Sequence, residues 1–240
     1  TAIINSSKFE ITTLRRDIKT DGRHAEVLFT DDWHQDSERR DFTFNAIYMD
    51  RRGKIYDPQN GRNDLKKKII KFIGEPSLRI EEDYLRIIRF IRFSINYNCK
   101  KTESNTLESI NLNLGGIKII SKERILIELF KILNTKNFEK LNNNKPLKEI
   151  FLLIFPEFKY FERLNKLNAI KSSNIFDKTI LLSVLLIDER NNHEYFLHKY
   201  NVSNNLKDDL NLVAKNYINS LENKNFFKKD LKKKHFSFWE

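Results

Sequence analysis

The alternation of apolar and polar residues near the start of the chain predicts short strands. Residues 8–15 (KFEITTLR) and 24–30 (HAEVLFT) place apolar or β-branched side chains at roughly every second position, as half-buried strands do. The charged segment 15–23 lies between them, so a hairpin with a polar loop is expected. A second short pair is expected at 46–49 and 54–57, joined by the turn-forming sequence DRRG.

From Ile80 onward the apolar residues take the three- and four-residue spacing of helices. The first such stripe predicts one long helix, whose acidic residues at 81–83 favour its N-terminus through the helix dipole. The stripe consists of Leu85, Ile88, Ile91 and Ile95.

Ser121 is the predicted N-cap of a further helix, with Glu123 in its first turn. The apolar face of that helix consists of Ile125, Leu126, Leu129, Ile132 and Leu133. Other amphipathic stretches lie at 146–155, 175–187, 193–200 and 205–222. The pattern therefore predicts the α+β class, in which a small β-containing part precedes an all-helical remainder.

Composition narrows the range of partners and compartments. The chain has 240 residues, enough for one or two compact units, and 44 Lys+Arg against 33 Asp+Glu give a formal charge of +11. This balance favours a polyanionic partner such as RNA, although a merely well-solvated basic surface fits it equally well. The single Cys99 and the lack of a membrane-length apolar run or signal peptide predict a cytoplasmic protein without a disulfide framework.

Two clusters of arginine and acidic residues carry the candidate chemistry. Arg39 and Arg40 stand before a predicted helix start, with Asp41 and Thr43 close by, where guanidinium and backbone N–H groups can hold phosphate. An arginine pair beside an aspartate is, by itself, more often a surface salt-bridge cluster.

The second cluster recurs every third residue along the predicted long helix: Asp83, Arg86, Arg89 and Arg92. A carboxylate that accepts a hydrogen bond from an amino group, beside a guanidinium that donates to a ring acceptor, matches cytosine and adenine. Uracil and guanine present the reverse pattern. The competing interpretation is an ordinary amphipathic helix with a solvated charged stripe.

Both clusters lie in segments that resemble a known family. RRDFTFNA at 39–46 and EEDYLRIIRFIRF at 81–93 resemble the paired signatures of the class II tRNA nucleotidyltransferases and bacterial poly(A) polymerases. The likeness extends from about Phe9 to about Leu133. Residues 8–33 also match the family, and they include a charged segment similar to a loop that helps switch nucleotide specificity from C to A.

The resemblance implies a partial nucleotidyltransferase head at 1–73, a helical neck at 74–137 that reads the nucleotide and binds RNA, and a helical body at 138–240. It implies that the whole enzyme adds C, C and A to tRNA 3′ ends from CTP and ATP, with the protein as template. The implied nucleotide-binding residues are Arg40, Asp83, Arg86, Arg89 and Arg92. The implied site-orienting residues are Asp41, Asn45 and Glu82.

The metal site is the part of the family pattern that we do not find in this sequence. The resemblance implies Mg²⁺ held by an Asp-x-Asp pair upstream of the region that matches Thr1, so no catalytic or metal residue is predicted within the chain, which alone is expected to be inactive. The alternatives are a bacterial poly(A) polymerase, an enzyme that adds only part of CCA, and a non-catalytic RNA-binding fragment or paralogue. The sequence predicts no oligomeric state.

Overall fold

A computed structural model describes residues 1–20, 25–99, 101–136, 138–169 and 177–222. The chain divides into two compact units, Thr1–Ile120 and Ser121–Glu240. Their boundary falls inside 74–137, and the predicted division into head, neck and body stays a prediction. Small sheets precede a mostly helical remainder, so the predicted α+β class is confirmed.

The described strands of the first unit form two-stranded antiparallel sheets. Each strand pairs with its neighbour in sequence: β1 (Ala2–Ile4) with β2 (Ser7–Phe9), β3 (Arg15–Thr20) with β4 (Ala25–Phe29), and β5 (Tyr48–Met49) with β6 (Ile55–Tyr56). The predicted pair around DRRG is confirmed. Gly53 closes its turn at φ 81°, a backbone conformation that glycine adopts without strain.

The predicted continuous strand at 8–15 is not present: β2 ends at Phe9, residues 10–14 form no strand, and β3 begins only at Arg15. The strand that pairs with β4 is β3, which begins at Arg15 and occupies most of the segment predicted to be the loop. The first residue of β3 is held from outside the hairpin, since the N–H of Arg15 donates to the side chain of Asp36 at 3.1 Å. The remaining loop residues 21–24 lie outside the described residues.

The helices of the first unit are short. They are α1 (Trp33–Glu38), α2 (Gly61–Lys67), α3 (Pro76–Glu82), α4 (Leu85–Asn96) and α5 (Ser104–Asn113), with 3₁₀ turns at Thr43–Ala46 and Leu114–Ile119. The start of α1 is capped by Asp32, whose carboxylate accepts from the N–H of His34 at 2.7 Å.

One long helix through Asp83 is not what the structure shows. α3 ends at Glu82, Asp83 is extended (φ −157°, ψ 102°), and α4 begins at Leu85. The Asp83 carboxylate accepts from the N–H of Leu85 at 3.1 Å and thereby satisfies a donor at the start of α4. The acidic residues 81 and 82 therefore close α3 instead of opening α4, while the apolar stripe of α4 is buried as predicted.

The RRDFTFNA segment is held by an aromatic core. The ring of Phe42 packs 4.8 Å from Phe72, which stacks on Phe90 at 5.7 Å, and all three are at most 1% exposed. Backbone hydrogen bonds fix the segment further, since the N–H of Thr43 donates to the carbonyl of Lys71 at 3.0 Å. This packing fixes the backbone of the residues immediately before Phe42.

Gly61, at the start of α2, lies against the same segment. A Cβ atom there would come within 2.3 Å of the backbone oxygen of Thr43, so only glycine allows this approach. α2 can then place Asp64, whose carboxylate accepts from the Thr43 hydroxyl at 2.7 Å.

The second unit is helical throughout its described elements. They are α6 (Lys122–Leu133), α7 (Lys145–Ile154), α8 (Arg163–Ala169), α9 (Lys178–Leu186), α10 (Asn192–Tyr200) and α11 (Asn204–Glu222), with a 3₁₀ turn at Phe138–Asn143. Every helix that the amphipathic pattern predicted here is confirmed; α8 was not predicted. Ser121 is the N-cap of α6, though its side chain makes no capping hydrogen bond. Among the described residues, no helix is long and apolar enough to cross a bilayer.

Candidate functional site

The two arginine-rich segments meet at one cavity of about 370 Å³ in the first unit. Four arginines and two aspartates contribute to its wall, which gives it an excess of positive charge. The lining residues are Arg39, Arg40, Asp41, Asn45, Asp83, Arg86, Arg89 and Phe93.

Asp36 anchors the arginine pair from beneath the cavity wall. Its side chain is fully buried and accepts from Nη2 of Arg39 at 2.6 Å and from Nη2 of Arg40 at 2.9 Å. The Tyr48 hydroxyl donates to the same carboxylate at 2.8 Å, and the N–H of Arg15 at 3.1 Å. One third of the Arg40 side chain (34%) stays exposed, so this guanidinium is oriented without being closed off.

The charge of Asp36 is stabilised by these donors. Burial alone would raise the pKa of Asp36, but the hydrogen bonds from Arg40, Arg39 and Tyr48 outweigh it and lower the pKa to about 2. Burial and the hydrogen bond to Asp36 raise the pKa of Tyr48 to about 12. Burial would lower the pKa of Arg40, but the ion pair with Asp36 raises it. All these groups keep their ordinary charge at neutral pH.

Asp41 is a second organising carboxylate and joins the two segments directly. Its Oδ2 atom accepts from Nε and Nη2 of Arg89, each at 2.6 Å, across 48 residues of sequence. Its Oδ1 atom accepts from the side-chain amide of Asn45 at 2.7 Å. The predicted site-orienting residues Asp41 and Asn45 thus contact each other and a residue predicted to bind nucleotide.

Glu82 orients Arg86. Nη1 of Arg86 donates to Oε2 of Glu82 at 2.6 Å and to the carbonyl of Arg79 at 2.6 Å. Among the described residues, the hydrogen bonds of the Arg86 guanidinium come from Nη1. The guanidinium is therefore held by one nitrogen at the edge of the cavity, with its side chain 14% exposed.

The structure brings most of the predicted nucleotide-binding residues together. Arg40, Asp83, Arg86 and Arg89 all line the cavity. Arg92 is not among the lining residues, and its guanidinium lies 4.0 Å from the ring centroid of Phe93. Their roles toward a nucleotide stay predictions.

The expectation of backbone phosphate donors at this turn does not fit the geometry. The N–H of Phe42 donates to the Asp41 carboxylate at 3.0 Å, and the N–H of Thr43 is bonded to the carbonyl of Lys71. These two donors are therefore used within the chain. The guanidinium groups at this wall are the candidate phosphate contacts.

Sequence reasoning missed Asp36, Tyr48 and Arg79. A signal for Asp36 existed, since it lies three and four residues before Arg39 and Arg40, the spacing at which helical side chains meet. Arg79 has the same kind of signal, three residues before Glu82. The contact of Tyr48 with Asp36 and that of Arg79 with the Arg40 carbonyl join separate elements, and no local pattern marks them.

The described residues do not supply a metal site. No group of three or more His, Cys, Asp or Glu side chains among them is arranged to hold a metal ion. The two carboxylates of the cavity wall are also engaged, Asp41 by Arg89 and Asp83 by the start of α4.

Comparisons with known proteins agree with the two motifs. The family model described as the poly A polymerase head domain matches residues 1–71. The human mitochondrial CCA tRNA nucleotidyltransferase 1 is 50% identical over 135 residues, which are 55% of this chain and 31% of that protein. The CCA-adding enzyme of Staphylococcus aureus (strain Newman) is 34% identical over 212 residues, 87% of this chain and 51% of that enzyme. The chain thus spans about a third to a half of the length of these relatives.

Solved structures show the same relationship over most of the chain. The CCA-adding enzyme of Bacillus stearothermophilus, solved in complex with CTP, superposes with a TM-score of 0.68 and 27% identity over 89% of this chain and 52% of that one. The Thermotoga maritima enzyme, at 24% identity and a TM-score of 0.59 over 79% of this chain and 50% of that one, shares the fold. On sequence and structure together, the chain belongs to the class II CCA-adding enzyme family.

Proposed function

We propose that this chain is the nucleotide-reading and RNA-holding part of a CCA tRNA nucleotidyltransferase, which adds C, C and A to tRNA 3′ ends from CTP and ATP. The observation that carries the proposal is the cavity at which the two motif segments meet through the ion pair of Asp41 and Arg89. The relatives named as CCA-adding enzymes support it.

Base selection is assigned to Asp83 and Arg86. Both line the cavity, and Arg86 is held there through Nη1 alone. A carboxylate and a guanidinium side by side accept from the amino group and donate to the ring nitrogen of cytosine or adenine. Uracil or guanine would leave polar groups unpaired, at a cost of about 1–3 kcal/mol each. The related Bacillus stearothermophilus structure was solved with CTP, which supports CTP as a ligand of this proposed site.

The phosphates of the nucleotide are assigned to arginines of both segments. Arg40 and Arg39 are fixed by Asp36 and line the cavity, and Arg89 is fixed by Asp41. Guanidinium groups are effectively always charged and suit the oxygens of a triphosphate. Arg92 is also proposed to bind the phosphates, since its guanidinium contacts the ring of Phe93, which lines the cavity.

Nucleotidyl transfer also needs a divalent cation, and we propose Mg²⁺. The cation supplies charge stabilisation for the attacking and leaving oxygens. The described residues offer no group of three or more metal-ligating side chains, and we propose, following the family resemblance, that the ligands of the cation lie upstream of Thr1. The residues of the cavity bind, orient and select the nucleotide.

The proposed macromolecular partner is tRNA. Contacts of Lys and Arg with phosphates dominate such interfaces, and the formal charge of +11 suits them. The Thermotoga maritima relative was solved with tRNA. The proposed compartment is the cytoplasm, where the free Cys99 stays reduced.

Nucleotide titration of the purified chain tests the proposed function. We expect CTP and ATP to bind at least about ten times more tightly than UTP and GTP, because the wrong bases leave buried polar groups unpaired. Equal affinity for all four nucleotides would reject base reading by Asp83 and Arg86. A strong preference for ATP alone would instead favour a poly(A) polymerase.

Binding of tRNA provides an independent prediction. We expect the chain to bind a tRNA lacking CCA with an affinity that falls steeply between about 50 and 200 mM salt, because phosphate contacts release counterions. Filter binding over a salt series measures the slope. An affinity that does not change with salt would contradict phosphate contacts as the basis of binding.

Substitution of Arg40 separates phosphate holding from base reading. The variant Arg40→Lys keeps the charge but cannot pair with Asp36 through two nitrogens. We expect nucleotide affinity to fall by roughly the same factor for CTP and ATP, about three- to ten-fold. Titrations of both nucleotides decide the matter, since a changed ratio of CTP to ATP affinity would place Arg40 in the template.

A further inference from the structure

We propose that Arg79 is a positioning residue that links the phosphate-holding segment to the base-reading turn of the same nucleotide site. The inference rests on the proposed function but concerns a residue outside the cavity wall. Arg79 lies in α3, seven residues before Arg86 and 39 residues after Arg40.

The contacts of Arg79 reach both halves of the site. Nη2 donates to the backbone carbonyl of Arg40 at 2.6 Å, and Nη1 lies 2.7 Å from Oε2 of Glu82. The carbonyl of Arg79 accepts from Nη1 of Arg86 at 2.6 Å, and Arg86 shares the Glu82 carboxylate. One residue therefore fixes the backbone beside Arg40 and, through Glu82, the guanidinium that is assigned to the base.

Burial indicates a structural setting unlike a surface ion pair. The Arg79 side chain is 13% exposed, and its Nε atom is buried without a hydrogen-bond partner among the described residues. Burial and the neighbouring charge of Arg86 lower the pKa of Arg79. A buried cation placed beside a second cation costs free energy, and the hydrogen bonds to Arg40 and Glu82 offset that cost.

The geometry also explains why a shorter or uncharged side chain would not substitute. A lysine has one nitrogen and cannot hold the Arg40 carbonyl and the Glu82 carboxylate in the planar arrangement of a guanidinium. Without Arg79, Glu82 pairs with Arg86 alone, and nothing in this cluster sets the carboxylate's position relative to Arg40. Loss of Arg79 would then remove one link between the phosphate wall and the base-reading wall and leave the ion pair of Asp41 and Arg89 as the other.

Nucleotide titrations of Arg79→Met and Arg79→Lys test this role, with Arg52→Met as the matched control because Arg52 is exposed in the turn between β5 and β6. We expect the ratio of CTP to UTP affinity to fall about five-fold or more in Arg79→Met, with partial retention in Arg79→Lys. Thermal unfolding curves show whether each variant is folded at the temperature of the titration. A purely supporting role would weaken all four nucleotides equally and leave the ratio unchanged.

A coupling measurement gives a readout that does not depend on base preference. In the wild-type background, the effects of Arg40→Lys and Arg86→Ala on ATP affinity are expected to be non-additive by a factor of roughly three or more. In the Arg79→Met background, or in Arg79→Lys if Arg79→Met does not fold, they are expected to be additive.

The two proposals fail in different ways. A wild-type chain that binds none of the four nucleotides overturns the proposed function and this inference with it. A wild-type chain that prefers CTP and ATP, together with an unchanged ratio and unchanged coupling in the folded Arg79 variants, overturns the inference about Arg79 alone. The same shift in Arg52→Met would also overturn it.

Discussion

Truncation of Arg86 is expected to abolish most of the selective binding of CTP and ATP. In Arg86→Ala the donors assigned to the ring nitrogen are lost, together with the ion pair to Glu82. Hydrogen bonds to charged groups contribute about 1.5–3 kcal/mol each, so affinity for both nucleotides should fall roughly 10- to 100-fold. Titration of the purified chain measures this loss.

The affinity for tRNA separates this role from a general loss of charge. Arg86 faces the cavity, so Arg86→Ala should leave tRNA binding nearly unchanged, as should the control Arg62→Ala, whose residue is exposed on α2. Weakened tRNA binding with normal nucleotide affinity would reject the assignment. The companion variant Asp83→Ala removes the acceptor for the amino group, and we expect it to relax the rejection of UTP.

The sequence predicts periodic features of the fold well, because burial imposes their spacing. The stripe of Leu85, Ile88, Ile91 and Ile95 marks α4, and all four side chains are at most 8% exposed. Even the missed α3 begins with Pro76, a residue favoured at the first helical position. That signal was available in the sequence but is weaker than an apolar stripe.

The break at Asp83 shows where local reasoning ends. Acidic residues are favourable at a helix N-terminus, so the run at 81–83 predicts the start of a single helix. In the structure the run spans an end and a start, because the Asp83 side chain caps α4 while its backbone is extended. The charge pattern is the same for both arrangements and does not distinguish them.

The sequence predicts the two clusters of the candidate site separately, but it does not predict that they meet at one cavity. Arg40 and Arg86 are marked by motif and charge, and each is held by a carboxylate four residues away. The ion pair that joins the two clusters, Asp41 with Arg89, spans 48 residues. Asp36 was within reach, since its helical spacing to Arg39 and Arg40 is readable. Its bonds to Arg15 and Tyr48 arise only when separate elements pack together.

Asp36 is the residue whose substitution should affect both the fold and the site of the first unit. In Asp36→Asn the neutral amide presents a donor where two guanidinium groups and a hydroxyl also donate. Removal of one partner from a buried ion pair costs on the order of 3 kcal/mol. We expect a lower midpoint of thermal unfolding at pH 7 and weaker binding of CTP and ATP alike. The control Asp31→Asn, at an exposed position before α1, should show neither effect.

The pH dependence of this difference identifies its cause. Because the pKa of Asp36 falls from 3.8 to about 2 on folding, the folded state binds fewer protons, and its carboxylate stabilises the fold above about pH 4. That stabilisation is lost as the pH falls from about 4 through 2. The unfolding midpoints of the wild-type chain and Asp36→Asn should therefore converge in acid. A difference in midpoint that persists unchanged at about pH 2 would show that the shape of Asp36, not its charge, is what the fold requires. Equal midpoints at pH 7 would reject Asp36 as the anchor of Arg39 and Arg40.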